Sequence, residues 1–255
     1  MNPFETFKQL HQNATPLVLG NVWDLNSARI LEASGYKAIG ISSQALSNSL
    51  GFEDGENLPF EILLQFAKRV VEVVHIPFSV DMEAGYSRTV AGIIENINKL
   101  HDAGVVGINL EDTIPGTVRQ IRPVAEFQQI LSAIAGHISR NHLQLFLNVR
   151  TDGFLLGLPN ALAETLIRIE SYENSGADGV FVPCITNRDD IREVVGATKL
   201  PVNVMCMPAL PGFDELASMG VKRISMGPFL FNKANEDIGK LAKAILSDNN
   251  FSSIL

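Results

Sequence analysis

Three short stretches concentrate the side chains able to do chemistry. SVDMEAG sets Asp81 and Glu83 two residues apart, NLEDT sets Glu111 beside Asp112, and NVRTD sets Arg150 near Asp152. Each follows a run of apolar, strand-forming residues, so each falls where a strand stops. Carboxylates gathered on one rim raise one another's pKa unless a cation neutralises them. A hard divalent ion is one solution. Carboxylates without imidazole or thiolate partners favour Mg2+, with Mn2+ next, over zinc. The other solution is structural: the acids cap the helices that follow, or pair with Arg88 and Arg150. Arg150 itself has two readings, a bidentate clamp on a carboxylate or phosphonate, or a salt bridge to Asp152.

What is missing narrows the chemistry. His11, His75, His101, His137 and His142 all fall on helices or on the opposite rim, which argues against imidazole as ligand or base. No lysine stands at a strand end, against Schiff-base chemistry, and no Ser/His/Asp set can be assembled there. Cys184 and Cys206 lack a neighbouring His or Lys to lower their pKa and read as packing residues. The long connection SSQALSNSLGFEDGENLP carries Asp54. It reads as a loop over the site or, alternatively, as a solvated acidic loop of Glu53, Asp54 and Glu56.

The elements that must position these groups are legible as β-branched and apolar runs at residues 16–20, 37–42, 77–81, 105–111, 144–150, 179–183, 201–205 and 222–226. Between them lie amphipathic segments of helical period, such as LPFEILLQFAKRVVEVV. Continuous apolar strands alternating with such helices predict a parallel sheet covered by helices. A weak repeat supports the count. EASGYKAIGIS, HDAGVVGINLE, ENSGADGVFVP and ASMGVKRISMG each end a helix with glycine (Gly35, Gly104, Gly176, Gly220) and restart as a strand. No Gly-x-Gly-x-x-Gly follows the first strand. The expectation is one (β/α)8 TIM barrel over residues 1–255, with its site at the C-terminal ends of the strands.

The 255 residues are 46% hydrophobic and carry a net charge of −8. That composition excludes disorder and offers no basic field for nucleic acid. Two cysteines make no disulfide framework, and no apolar run is long enough for a membrane span. A cytoplasmic protein with no membrane partner is expected.

Taken together, NSARILEASGYKAIGISS, LGFEDG, SVDMEAGYS, VVGINLEDT and NVRTD resemble, in order and spacing, the isocitrate lyase and phosphoenolpyruvate mutase superfamily. The similarity runs from about Asn21 to Asp152 and continues more weakly to the last strand. The resemblance implies an Mg2+-dependent barrel enzyme that makes or breaks C–C or P–C bonds next to a 2-oxocarboxylate through an enolate. It puts the direct metal ligand on Asp81 and the water-mediated metal carboxylates on Glu83 and Glu111. It gives Ser42 and Ser43 to the turn that receives the oxocarboxylate, Arg150 to substrate binding, and Asp54 to the chemistry. A homo-oligomer is expected by the same analogy.

Departures from the family pattern bear on the reaction. The lyases carry a Cys in a Lys-Lys-Cys-Gly-His type motif after strand four, where this chain reads EDTIPGTVRQIRPVAEF, against isocitrate or methylisocitrate cleavage by that mechanism. The mutase and phosphonopyruvate hydrolase branches place Lys and Asn on that loop and a His after strand six. Here Thr113, Arg119 and Arg122 occupy the loop and Pro183 ends the strand. Ser43 and Gln44 stand where many relatives have Gly and Leu. The short stretch after the eighth helix argues against exchange of that helix between subunits. The reading is a lyase cleaving a C–C bond in a small 2-oxo or 2-hydroxy dicarboxylate. Its alternatives are a phosphonopyruvate hydrolase or mutase, and a silent 2-oxocarboxylate-binding barrel.

Overall fold

The computed structural model describes residues 2–116 and 118–255. Its strands are β1 (Leu17–Val22), β2 (Ile39–Ile41), β3 (Phe78–Asp81), β4 (Gly107–Glu111), β5 (Thr113–Ile114), β6 (Gln120–Ile121), β7 (Phe146–Arg150), β8 (Gly179–Val182), β9 (Val202–Met205) and β10 (Arg223–Ser225). Eight of them form a closed barrel in the order β1-β2-β3-β4-β7-β8-β9-β10, every neighbour parallel, with the seam at Leu17 against Arg223. This is the (β/α)8 architecture expected, and all eight barrel strands lie within two residues of the sequence-derived bounds at each end. β5 and β6 are an additional antiparallel hairpin beyond β4 that strand patterning does not announce, being two residues each.

The helices are α1 (Pro3–Leu10), α2 (Leu25–Ala33), α3 (Ser43–Ser49), α4 (Phe60–Val73), α5 (Val90–Asp102), α6 (Val124–Arg140), α7 (Ala161–Asn174), α8 (Arg188–Gly196), α9 (Phe213–Ser218) and α10 (Phe229–Asp248). α5 buries Ile93, Ile97 and Leu100, a stripe of helical spacing, into the same core as Val80, Ile108 and Val149 of the strands. Each such side chain contributes about 1.5–3 kcal/mol relative to exposure. The repeated glycines do what the repeat requires: Gly35, Gly104, Gly176 and Gly220 sit at φ of +91° or +92°. The next residue then returns its N–H to the helix, as Val105 does to the Leu100 carbonyl at 3.1 Å.

Below the barrel, α1 serves as a plug. Phe7 packs with Leu17, Leu19, Ala38, Val106 and Phe146, and a Cβ on Gly107 would come within 2.5 Å of its ring. His11 stacks on Phe146 at 4.3 Å and hydrogen-bonds the Phe7 carbonyl through Nδ1 at 2.8 Å. At the other end of the chain, Phe231 of α10 packs edge-on against Trp23. None of its 20 residues is fully buried, and Ile238, Leu241 and Leu246 are exposed. The connection after β2 is partly helical: α3 takes up its first half, leaving residues 50–59 as the loop that carries Asp54.

Candidate active site

Because the strands are parallel, β3, β4 and β7 deliver Asp81, Glu111 and Arg150 to one rim, where β2 gives way to Ser42 and Ser43 at the start of α3. A cavity of about 120 Å³ opens there, lined among others by Ser42, Ser43, Asp54, Asp81, Arg119 and Arg150. Ser43 donates its hydroxyl to Asp81 Oδ2 at 2.9 Å, whereas Ser42 turns its Oγ back to accept from the Ala45 N–H as the cap of α3. Asp81 Oδ1 is buried with no hydrogen-bond partner.

Arg150 is fixed before any ligand arrives. Asp152 receives its Nε and Nη2 at 2.6 and 3.1 Å, and its Nη1 lies 3.1 Å from Glu111 Oε2. That last approach is not aligned for a hydrogen bond, so Glu111 Oε2 remains a buried acceptor without one. Glu111 Oε1 accepts the Thr113 hydroxyl. Burial raises the Glu111 carboxyl above the usual range against the pull of Arg150. The salt-bridge reading of Arg150 is what the structure shows, and the guanidinium that Asp152 orients also lines the cavity.

Glu83 and Asp54 complete the acidic wall in different ways. Glu83, at φ +48°, accepts the Tyr86 hydroxyl on one oxygen (3.1 Å) and the Glu56 N–H on the other (2.9 Å), tying the Asp54 loop to the end of β3. It does not line the cavity, and burial, reinforced by Asp54, Asp81 and Glu111, pushes it up to about 8. Asp54 does line the cavity, 3.6 Å from Arg119, and burial raises its carboxyl. The side chain of Glu56 on the same loop is buried rather than solvated, its carboxylate taking Arg88 and the Tyr86 N–H, both at 2.6 Å.

Arg119 reaches the site from the hairpin, bonding Asp152 at 3.1 Å and lying 3.8 Å from Glu111. Sequence reading placed it on the loop but gave it no role, because loop residues carry no periodicity to aim them. Asp112 belongs elsewhere: it is spent on Arg168 (3.1 Å), on the Tyr172 hydroxyl and on the Asp152 N–H (3.2 Å). Among the described residues no histidine, lysine or cysteine lines the cavity. Cys184 lies against Met207, sulfur to sulfur at 3.9 Å, and burial raises its thiol.

The arrangement fits a hard divalent cation. Among the described residues no three Asp, Glu, His or Cys side chains converge closely enough to enclose a metal by themselves. A bound ion would therefore draw much of its shell from water and substrate, as Mg2+ prefers. The open acceptors Asp81 Oδ1 and Glu111 Oε2, and the raised carboxyls around them, are what such an ion relieves.

A family model described as phosphoenolpyruvate phosphomutase matches residues 7–246. An uncharacterized protein of Mycobacterium tuberculosis, Rv1998c, is 31% identical over 94% of this chain and 88% of its own. The 2-methylisocitrate lyase of Salmonella typhimurium is 24% identical over 86% of this chain and 77% of its own. A crystal structure from Burkholderia cenocepacia, described as a candidate phosphonomutase, superposes with a TM-score of 0.89 at 36% identity, covering 94% of this chain and 99% of that one. The fold is also that of 2,3-dimethylmalate lyase, a PEP mutase/isocitrate lyase superfamily member, with a TM-score of 0.88 at 17% identity over 99% of this chain and 90% of that one. The chain thus belongs to the phosphoenolpyruvate phosphomutase family, and is an enzyme of the PEP mutase/isocitrate lyase superfamily of lyases, mutases and hydrolases.

Proposed function

We propose that this protein is a Mg2+-dependent lyase that cleaves a C–C bond in a small 2-oxo or 2-hydroxy dicarboxylate by way of an enolate. The observation that carries the reading is one cavity with Arg150, locked by Asp152, on one wall and Asp81, with an open oxygen, on another. Asp81 would hold the metal directly, and Glu83 and Glu111 through water. Lewis-acid polarisation of the substrate's keto oxygen is the chemistry such an ion supplies when bound. Arg150 binds the oxocarboxylate end and stabilises the charge that moves onto the keto oxygen as the adjacent bond breaks, at no cost of reorientation. Ser43 steadies Asp81, and the turn at Ser42 and Ser43 borders the carboxylate. Asp54 is the acid–base group: it lines the cavity with a carboxyl raised by burial and, as the acid, gives its proton to the enolate carbon once the other fragment has departed, while Arg119 stabilises the carboxylate left behind.

One observation favours P–C chemistry as a second reading. Arg119 brings a second guanidinium to the same cavity, suited to a phosphoryl group. The protein is further read as a cytoplasmic homo-oligomer. The exposed apolar residues of α10 support self-association, the net charge of −8 gives no support to nucleic acid as a partner, and among the described residues no helix is long and apolar enough to cross a membrane.

Proton and phosphorus NMR with Mg2+ and a panel of oxaloacetate, phosphonopyruvate, phosphoenolpyruvate and substituted malates tests these readings. Consumption of a dicarboxylate, lost in Asp81→Ala by about 10³-fold or more, is expected. Phosphate release or phosphonate rearrangement would move the assignment to P–C chemistry. Unchanged turnover in Asp81→Ala would refute the metal site, and Mg2+-dependent oxalate binding without any turnover would identify a silent barrel.

A further inference from the structure

Beneath the rim the barrel interior is polar where aliphatic side chains ordinarily fill it. Asn109, Asn148 and Asn203, from β4, β7 and β9, form a hydrogen-bonded layer: Asn148 Nδ2 donates to Asn109 Oδ1 at 2.9 Å and to Asn203 Oδ1 at 3.3 Å. Against this layer stands Arg223, the first residue of β10, only 1% exposed yet lining the same cavity as Asp81 and Arg150. Its Nη2 donates to Asn109 Oδ1 at 3.3 Å, while Nε and Nη1 have no partner. Below it lies the Phe7 ring, 6.0 Å from the guanidinium carbon. Among the described residues, no carboxylate reaches it within salt-bridge distance.

A buried guanidinium with two idle donors is costly. Its pKa falls to about 9 through burial, against the pull of Asp81, which still leaves it charged at neutral pH. A buried charge of this kind is retained when a counter-ion compensates it. The neighbouring amides cannot do so, because Asn109 and Asn203 have already committed the oxygens that face the layer. We propose that Arg223 forms a second anion subsite on the cavity floor, below the rim site, taking one compact monoanionic group through Nε–H and Nη1–H. Two sources share that chemistry: the far carboxylate of a dicarboxylate ligand, and a free small anion such as chloride. The subsite stands on Arg223 and its surroundings and does not depend on the reaction assigned above.

Thermal unfolding of the intact protein and of Arg223→Met, at constant ionic strength with gluconate as the balancing anion, tests this. Chloride and formate are expected to raise the wild-type Tm saturably, as any ligand of the folded state does, and to leave Arg223→Met unmoved. Pyruvate and oxaloacetate, with Mg2+ present, then separate the sources. An affinity gap of tenfold or more favouring oxaloacetate that closes in Arg223→Met assigns the subsite to the ligand's own carboxylate. A gap that persists, with the chloride response lost, assigns it to a free anion. Bromide in crystals of the wild-type protein should give an anomalous peak within hydrogen-bond distance of Arg223 Nε and Nη1, a readout that needs no variant. Identical anion responses in both proteins, or no bromide peak, would overturn the proposal and leave the two donors to water, which the partnerless Nε2 of His11 could share.

Discussion

Glu111 and Asp112 are chain neighbours with the same charge, and the fold treats them oppositely. Successive residues of an extended chain face opposite sides, so Glu111 turns to the cavity-lining Arg150 and Arg119, and Asp112 to the ground under α7. There Arg168, Tyr172 and the Asp152 N–H saturate the Asp112 carboxylate, while its carbonyl takes the Arg122 N–H at 2.8 Å. Glu111 keeps an oxygen that no donor among the described residues hydrogen-bonds, although Arg150 Nη1 lies 3.1 Å away. The difference separates an acid whose carboxylate the fold saturates from one that keeps an oxygen without a hydrogen bond.

The sharpest way to break this comparison is to exchange the losses. Asp112→Ala removes the buried partner of Arg168 Nη1 and of the Tyr172 hydroxyl, leaving Arg168 only Glu164 at 2.7 Å and the Arg122 carbonyl, and should cost about 1–3 kcal/mol of stability by denaturant unfolding. Glu111→Gln, which removes a poorly compensated charge, should keep the stability or raise it while lowering turnover. Equal destabilisation by both would dissolve the distinction.

A smaller effect concerns pH. The Glu83 carboxyl stands at about 8 in the folded protein against an ordinary 4.5, so the folded state binds that proton more tightly than the unfolded chain. Its contribution is fully present below about pH 4.5 and is lost progressively as pH rises to about 8, at most a few kcal/mol in all. In EDTA the Tm should therefore fall between about pH 5 and 8, and Mg2+ should flatten the decline by favouring the ionised acids. A slope indifferent to Mg2+ would detach Glu83 from the metal site.

The smallest effect tests a residue excluded from the chemistry. Cys184→Ala should change turnover by less than about twofold and stability by under about 1 kcal/mol; a larger loss of rate would return the thiol to the mechanism.

Much of this was legible in the sequence because a parallel barrel converts strand ends into a site. The runs ending at Asp81, Glu111 and Arg150 are strands in the structure, and the four repeated glycines share one left-handed conformation. What escaped was long-range partnering. Nothing local distinguishes Asp112 from Glu111, since Arg168 lies 56 residues further on. Arg223 in KRISM reads as an ordinary strand-edge cation until closure of the barrel buries it. The hairpin that presents Arg119 is too short for any period to show.

The seam of the barrel carries a consequence for the order of folding. Asp81, Glu111 and Arg150 come from β3, β4 and β7, which are adjacent in the sheet and close in the chain. Arg223 arrives only when β10 docks on β1, a contact between residues 17 and 223, which Asn21 reinforces by accepting the Met226 and Gly227 N–H groups at 2.8 and 3.0 Å. Contacts so distant along the chain form late because their loop entropy is met before they reward it. On the ribosome the acidic half of the cavity would thus exist before the cation beneath it, and the last strand that seals the barrel also brings the charge to its floor.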